Sequence, residues 1–227
     1  MYKILEKIFN YLNKYHQKRI LSFLESLNFN CFIDVGAHKG AFVSDILTLK
    51  KNKEIFAYEP QIFIFNQLKE KFLDNKKVKI FNIALDKEIT KKDIFINKLS
   101  STSTLSKFNP DSFFLKIKNL MISSKTNYIE KYKVQTDTLD NHLKNIDLKN
   151  SLLKVDVEGL ELDVLVGAEK KLKTEIKYVL IEHKFAEQYK NSNKENVHNF
   201  LLNKKFKIKK VFFYPSFHFK DVLYSKD

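Results

Sequence analysis

The chain has no tryptophan, one cysteine, one arginine, three prolines and four glycines in 227 residues. Each shortage excludes something. A lone cysteine, Cys31, rules out a disulfide framework within the chain and suits a reducing compartment. It stands in an apolar run before Phe32, so it reads as a buried structural thiol and not as a nucleophile. No apolar run approaches the roughly 18 residues of a membrane-spanning helix. The opening stretch, MYKILEKIFNYLNKYHQKRI, has no uninterrupted apolar region and no small-residue cleavage site. It does not read as a secretory signal, and a cytoplasmic location is expected.

The scarcity of arginine bears on the charge. The net charge is +14, almost all of it lysine, and Arg19 is the single arginine. Arginine reads phosphate and guanine in bidentate fashion. Without it, specific nucleic-acid recognition is not expected, although lysines alone can bind a phosphate backbone. Lysine and asparagine are abundant together, as genome-wide codon bias also produces, so the charge names no partner.

What is present is a core. The hydrophobic fraction is 44%, with 21 Phe and 10 Tyr, enough for one self-sufficient domain. Ile4, Leu5, Ile8, Phe9, Leu12 and Tyr15, then Ile20, Leu21, Leu24 and Leu27, recur at helical spacing among lysines. Such a basic amphipathic helix over residues 2–27 either lies on a membrane or partner, or packs on the domain as a lead-in. The second is expected, with the lead-in over 1–30 and the main domain over 31–227.

Beyond residue 30, short apolar runs alternate with helical patterns. Strands are predicted at 31–35, 54–58, 78–82, 152–156 and 177–182. Helices are predicted near 41–50, 61–73, 160–172 and 187–203. The alternation argues for an α/β fold with a parallel sheet covered on both faces. The runs 206–214 and 219–225 have no helix between them and must pair antiparallel. Residues 86–136 interrupt the pattern: strands at 93–97 and 131–136, a loop STSTLS at 101–106, and a helix over 109–122 capped by Asn109 with Pro110 in its first turn. An insertion of that length suggests a lid over a site.

Ligands of open parallel sheets bind beyond the strands' carboxyl ends. After the first strand stand Asp34, Gly36, Ala37, His38 and Gly40. A glycine there allows a sharp turn and a close ligand approach, and the helix start that follows favours an anionic group. The spacing is D-x-G-x-x-x-G, neither the dinucleotide fingerprint nor a P-loop. After the second strand stand Glu59 and Pro60. An acid about 20 residues beyond the glycine turn can accept the hydroxyls of a ribose. Asn82, Ala84 and Leu85 follow the third strand and suit the flat face of a base. After the next, KVDVEGLELDVLVGA delivers Asp156 and Glu158 beside Gly159. Two close carboxylates can supply a general base, hold a divalent cation, or cap the following helix. Glu182 and His183 end the last of these strands, and His183 is a candidate proton acceptor.

In their order, FIDVGAHKGAF, IFAYEP, NIALD, VQTDTLDNHL and LLKVDVEGLELDVLVGAEKKL closely resemble the FkbM-type S-adenosylmethionine-dependent methyltransferases over about residues 31–183. The resemblance implies a Rossmann-like class I methyltransferase fold, a seven-stranded mostly parallel sheet with helices on both faces and a C-terminal antiparallel hairpin. It implies that Asp34, Gly36 and Gly40 line the methionine end of S-adenosylmethionine, that Glu59 holds the ribose, and that the NIALD segment flanks the adenine. Asp156, Glu158 and His183 would face the acceptor. The family mostly methylates hydroxyls, commonly on sugars of bacterial glycans or natural products, and the lysines suit a phosphorylated or nucleotide-linked sugar. The departures, His38-Lys39 in the glycine loop and Leu160, say nothing about the acceptor. On this reading Asp156, alone or with His183, removes the acceptor's proton, and Glu158 orients the sugar. A cofactor-binding scaffold without turnover and a lysine-driven nucleic-acid module are the competing readings. An NAD-dependent oxidoreductase would need the G-x-G-x-x-G that the chain lacks.

Overall fold

The computed structural model describes residues 2–49, 53–96, 130–184, 194–215 and 219–226. The predicted STSTLS loop, the 109–122 helix and the start of the 187–203 helix lie outside them. In chain order the elements are α1 (Tyr2–Glu25), β1 (Cys31–Val35), α2 (Ala41–Thr48), β2 (Glu54–Tyr58), α3 (Ile62–Lys71), β3 (Val78–Phe81), β4 (Ala84–Leu85), β5 (Lys91–Ile96) and β6 (Glu130–Asp137). There follow α4 (Leu139–His142), β7 (Ser151–Val155), α5 (Glu161–Val166), α6 (Glu169–Thr174), β8 (Ile176–Lys184), α7 (Lys194–Asn203), β9 (Lys207–Phe213) and β10 (Phe219–Ser225).

Seven strands form one sheet in the order β3-β2-β1-β7-β8-β10-β9. β1 pairs in parallel with β2 and β7, and β7 with β8. β10 runs antiparallel to both of its neighbours, as the closing hairpin requires. The central strands are buried along their length because helices cover both faces. Period-two alternation divides their side chains. Phe32, Ile55, Ala57, Leu152, Leu180 and Leu223 face α1 and α2, while Ile33, Val35, Phe56, Leu153, Val155 and Ile181 face α5, α6 and α7.

The second half of α1 belongs to this core. Ile20 and Leu24 are buried against α2 and the sheet, each contributing about 1.5–3 kcal/mol. Among the described residues, no helix is long and apolar enough to cross a membrane.

Two features depart from the sequence pattern. A small second sheet, β4-β6-β5, joins both described ends of the inserted segment, with β5 antiparallel to β6. The helix predicted near 160–172 is two helices, α5 and α6. Asp140 causes the break: its amide donates to the Gly167 carbonyl, and its carboxylate accepts the amides of Lys170 and Lys171, capping α6. At Gly167 the main chain also passes so close to Asp86 that a Cβ would lie 2.0 Å from its carbonyl oxygen.

Candidate functional site

Strand order reverses between β1 and β7, the switch point at which such sheets bind ligands. The register sets Val35 beside both Tyr58 and Val155, and Val155 beside Ile181. The residues that follow therefore emerge along one edge. They enclose a cavity of about 410 Å³ walled by the Gly36 turn, Glu59, Asp156, Glu158 and Glu182.

The glycine turn is held on both sides. The amides of Gly36 and Ala37 donate to the Tyr58 carbonyl at 3.1 and 3.0 Å, and the Asp156 amide donates to the Val35 carbonyl at 3.0 Å. His38 and Ala37 line the cavity. Burial, and then Lys39, lowers the His38 pKa, against the pull of Asp156. Its main-chain amide donates to Glu59 Oε2 at 2.9 Å, while the Gln61 amide donates to Oε1 at 2.8 Å. The Gln61 side chain hydrogen-bonds the same carboxylate, which leaves part of its acceptor capacity for a ligand hydroxyl. Burial pushes the Glu59 pKa up to about 7 despite these bonds. Pro60, Ile83, Ala84 and Leu85 add an apolar wall beside it.

At the middle of the edge, Lys154 lies buried between two acids, its Nζ 3.2 Å from Asp34 Oδ1 and 3.4 Å from Asp156 Oδ2. Asp34 is fully buried, and its Oδ2 has no hydrogen-bond partner among the described residues. Carboxylate oxygens of Asp156, Glu158 and Glu182 lie within 4.8 Å of one another, a separation that one divalent cation could bridge. Glu158 has φ +56, a left-handed backbone uncommon outside glycine.

Three of the residues assigned from sequence stand behind the cavity instead of on its wall. Gly40 opens α2 against Leu68 and Phe72. Asn82 buttresses the second loop, its Nδ2 donating to the carbonyls of Glu59 and Pro60. His183 is on the opposite face of β8, 3.5 Å from the Tyr224 hydroxyl. Alternation along the strand sends Glu182 to the cavity and His183 away from it. Glu182 therefore stands where His183 was expected.

The sequence reading also missed a fourth wall. α1 brings Asn13, His16, Gln17 and Ile20 to the cavity, in contact with Tyr214, Phe219 and Asp221 from the β9–β10 hairpin. His16 Nε2 is 2.7 Å from Asp221 Oδ2, and both residues are buried. The available signal was the stripe Leu12, His16, Ile20, Leu24, which places a histidine at a core position.

A seven-stranded sheet of this order, with its glycine turn after β1 and its acid after β2, defines the class I Rossmann-like S-adenosylmethionine-dependent methyltransferase fold. The family model for the methyltransferase FkbM domain matches residues 34–208, and the chain belongs to that family. A Clostridium thermocellum protein assigned as an rRNA methylase superposes with TM-score 0.53 and 10% identity, over 92% of this chain and 96% of that one. Aeropyrum pernix fibrillarin, solved with natively bound S-adenosyl-L-methionine, superposes with TM-score 0.51 and 11% identity, over 91% and 74%. At these identities the likeness is one of fold. No match was found among curated proteins.

Proposed function

We propose that this protein transfers a methyl group from S-adenosylmethionine to a hydroxyl of a sugar or glycan precursor. The observation that carries the reading is convergence: the Gly36 turn, the Glu59 carboxylate and the Asp156–Glu158 pair all open on one cavity. The lining fits the cofactor. Asp34 presents a buried, unpartnered carboxylate oxygen for a cationic amino group, and the surrounding acids suit a sulfonium. Glu59 would accept the ribose hydroxyls, with Pro60, Ile83 and Ala84 against the adenine. When bound, the cofactor supplies a methyl group on a positively charged sulfur, already a good leaving group. The protein's remaining work is positioning. Asp156, Glu158 and Glu182 are all acceptors, and a polyol offers several hydroxyl donors to satisfy them.

The test is titration calorimetry with S-adenosylmethionine, followed by incubation with nucleotide sugars and extracted cell-surface glycan precursors. Mass spectrometry should find a product heavier by one CH₂. No heat of cofactor binding would overturn the reading. Methylated bulk RNA with untouched sugars would replace the acceptor class.

Glu59 predicts a pH dependence. Its folded value of about 7 lies above the ordinary glutamate value of 4.5. Between the two the folded, ligand-free protein holds a proton that the unfolded chain has released. This contribution to stability is full at low pH and is lost as pH rises through about 7. The ionised carboxylate accepts from ribose hydroxyls better than the protonated one, which gives up acceptor capacity to its own hydrogen. Cofactor affinity should therefore tighten, by up to about tenfold per pH unit, as pH rises towards neutrality, and then level off. Calorimetry at a series of pH values checks this, and Glu59→Gln should flatten the profile.

A further inference from the structure

We propose that His16, held by Asp221, takes the proton from the acceptor hydroxyl as that hydroxyl is methylated. The inference rests on the methyl-transfer reading and names a catalytic residue within it.

Position is the first argument. The cavity runs along the sheet edge from β2 to β10. Four strand spacings separate Glu59 from Asp221, roughly 19 Å at about 4.8 Å per strand. With the ribose at Glu59 and the reacting centre near Gly36 and Asp156, the β10 end is left for the acceptor. His16 and Asp221 wall that end, and both lie outside residues 34–208, the span shared with the family. Asp221 is within electrostatic reach of Lys154 and Asp156, which ties the pair to the centre of the site.

Geometry is the second. With Asp221 ionised and the ring neutral, the 2.7 Å contact with Asp221 Oδ2 puts the imidazole hydrogen on Nε2 and leaves a lone pair on Nδ1. Nδ1 is buried and has no hydrogen-bond partner among the described residues. A histidine kept only to tie α1 to the sheet would gain by satisfying both nitrogens. The ring is also fixed in place. The edges of Tyr214 and Phe219 meet it at centroid distances of 5.3 and 5.5 Å, and those two rings stack on each other at 4.3 Å. The Tyr214 hydroxyl donates to Asn13 Oδ1, which anchors the same wall to α1.

Chemistry is the third. A sugar hydroxyl is a poor nucleophile until its proton is taken, and imidazole is the side chain that accepts one near neutral pH. Asp156 shares the Lys154 ammonium with Asp34 through one of its oxygens, and His183 faces away. In the step, the hydroxyl proton passes to His16 Nδ1 and the oxygen's electron pair forms the new O–CH₃ bond. The pair of the broken carbon–sulfur bond stays on sulfur, and the imidazolium proton then leaves to water.

Three measurements on the full chain test this. Calorimetry with S-adenosylmethionine should give His16→Gln and His16→Ala wild-type affinity. On the nucleotide sugar that the wild type methylates, His16→Gln should lower kcat by about 10²–10⁴ with little change in KM, and added imidazole should restore part of the His16→Ala turnover. In ¹⁵N-histidine-labelled wild type, ring-nitrogen NMR at mildly alkaline pH should show hydrogen on Nε2 and none on Nδ1. Wild-type kcat in His16→Gln, or hydrogen on Nδ1, overturns the proposal and leaves the methyl-transfer reading intact. A wild type that takes up no cofactor, or methylates none of the sugars, overturns that reading and this proposal with it.

Discussion

Lys154→Met should lower the unfolding free energy by about 3–5 kcal/mol, the usual consequence of stripping one partner from a buried ion pair. Burial alone would depress the Lys154 pKa, but the charges of Asp34 and Asp156 more than offset it, so the ammonium sits above the ordinary lysine value. Asp34 depends on that ammonium. Burial pushes its carboxyl pKa up, Lys154 is what restrains it, and Asp156 pushes it further up. Without Lys154 the carboxylate has no hydrogen-bond partner for either oxygen among the described residues, and its pKa must climb. A carboxyl raised above its unfolded value contributes stability at low pH and loses it as pH rises. The deficit should therefore be small near pH 4, close to the unfolded value of 3.8, and grow towards neutrality. Urea unfolding across that range measures it. Adding Asp34→Asn should recover most of the loss, because no unpaired charge then remains buried. A deficit below about 1 kcal/mol, or one that deepens as pH falls, would show that the pair is screened by solvent.

How far the sequence discloses this molecule depends on whether the information is local. Strands buried on both faces must be apolar runs, so β1, β2, β7 and β8 were readable to within a residue or two. The turn at Gly36 and the acid at Glu59 were readable because each directly follows such a run. β4 was not, because two residues carry no period and Ala84–Leu85 is defined only by its partners Thr136 and Asp137. The break between α5 and α6 was hidden because the apolar pattern runs straight through Gly167, while its cause, Asp140, is supplied from another element. At the end of β8 the sequence offered two polar neighbours, and only the pairing of Glu182 with Asp221 decides which one faces the cavity. His16 and Asp221 are 205 positions apart, beyond any local pattern.

Gly36→Ala should abolish detectable S-adenosylmethionine uptake and destabilise the fold by roughly 2–5 kcal/mol, the sum of a left-handed backbone penalty and overpacking. Thermal unfolding would register this as a fall of roughly 4–20 °C in Tm. Gly36 has φ +85, and a Cβ there would lie 2.0 Å from the Asp156 carbonyl oxygen. That obstacle is main chain, fixed by the bond from the Asp156 amide to the Val35 carbonyl, so it cannot rotate aside. Relief in the other direction is blocked as well, because the Gly36 and Ala37 amides are tied to Tyr58, the residue before Glu59. Any adjustment therefore displaces Glu59 or Asp156. Gly40→Ala is the control. Gly40 shares the left-handed backbone, with φ +69, but its added Cβ would meet the side-chain tips of Leu68 and Phe72 at 2.5 Å. Those can move, and Gly40 is not on the cavity wall. It should lose some stability and still take up cofactor. Equal cofactor affinity in both variants would mean that the turn at Gly36 has slack, and that the three walls of the cavity are not rigidly set by it.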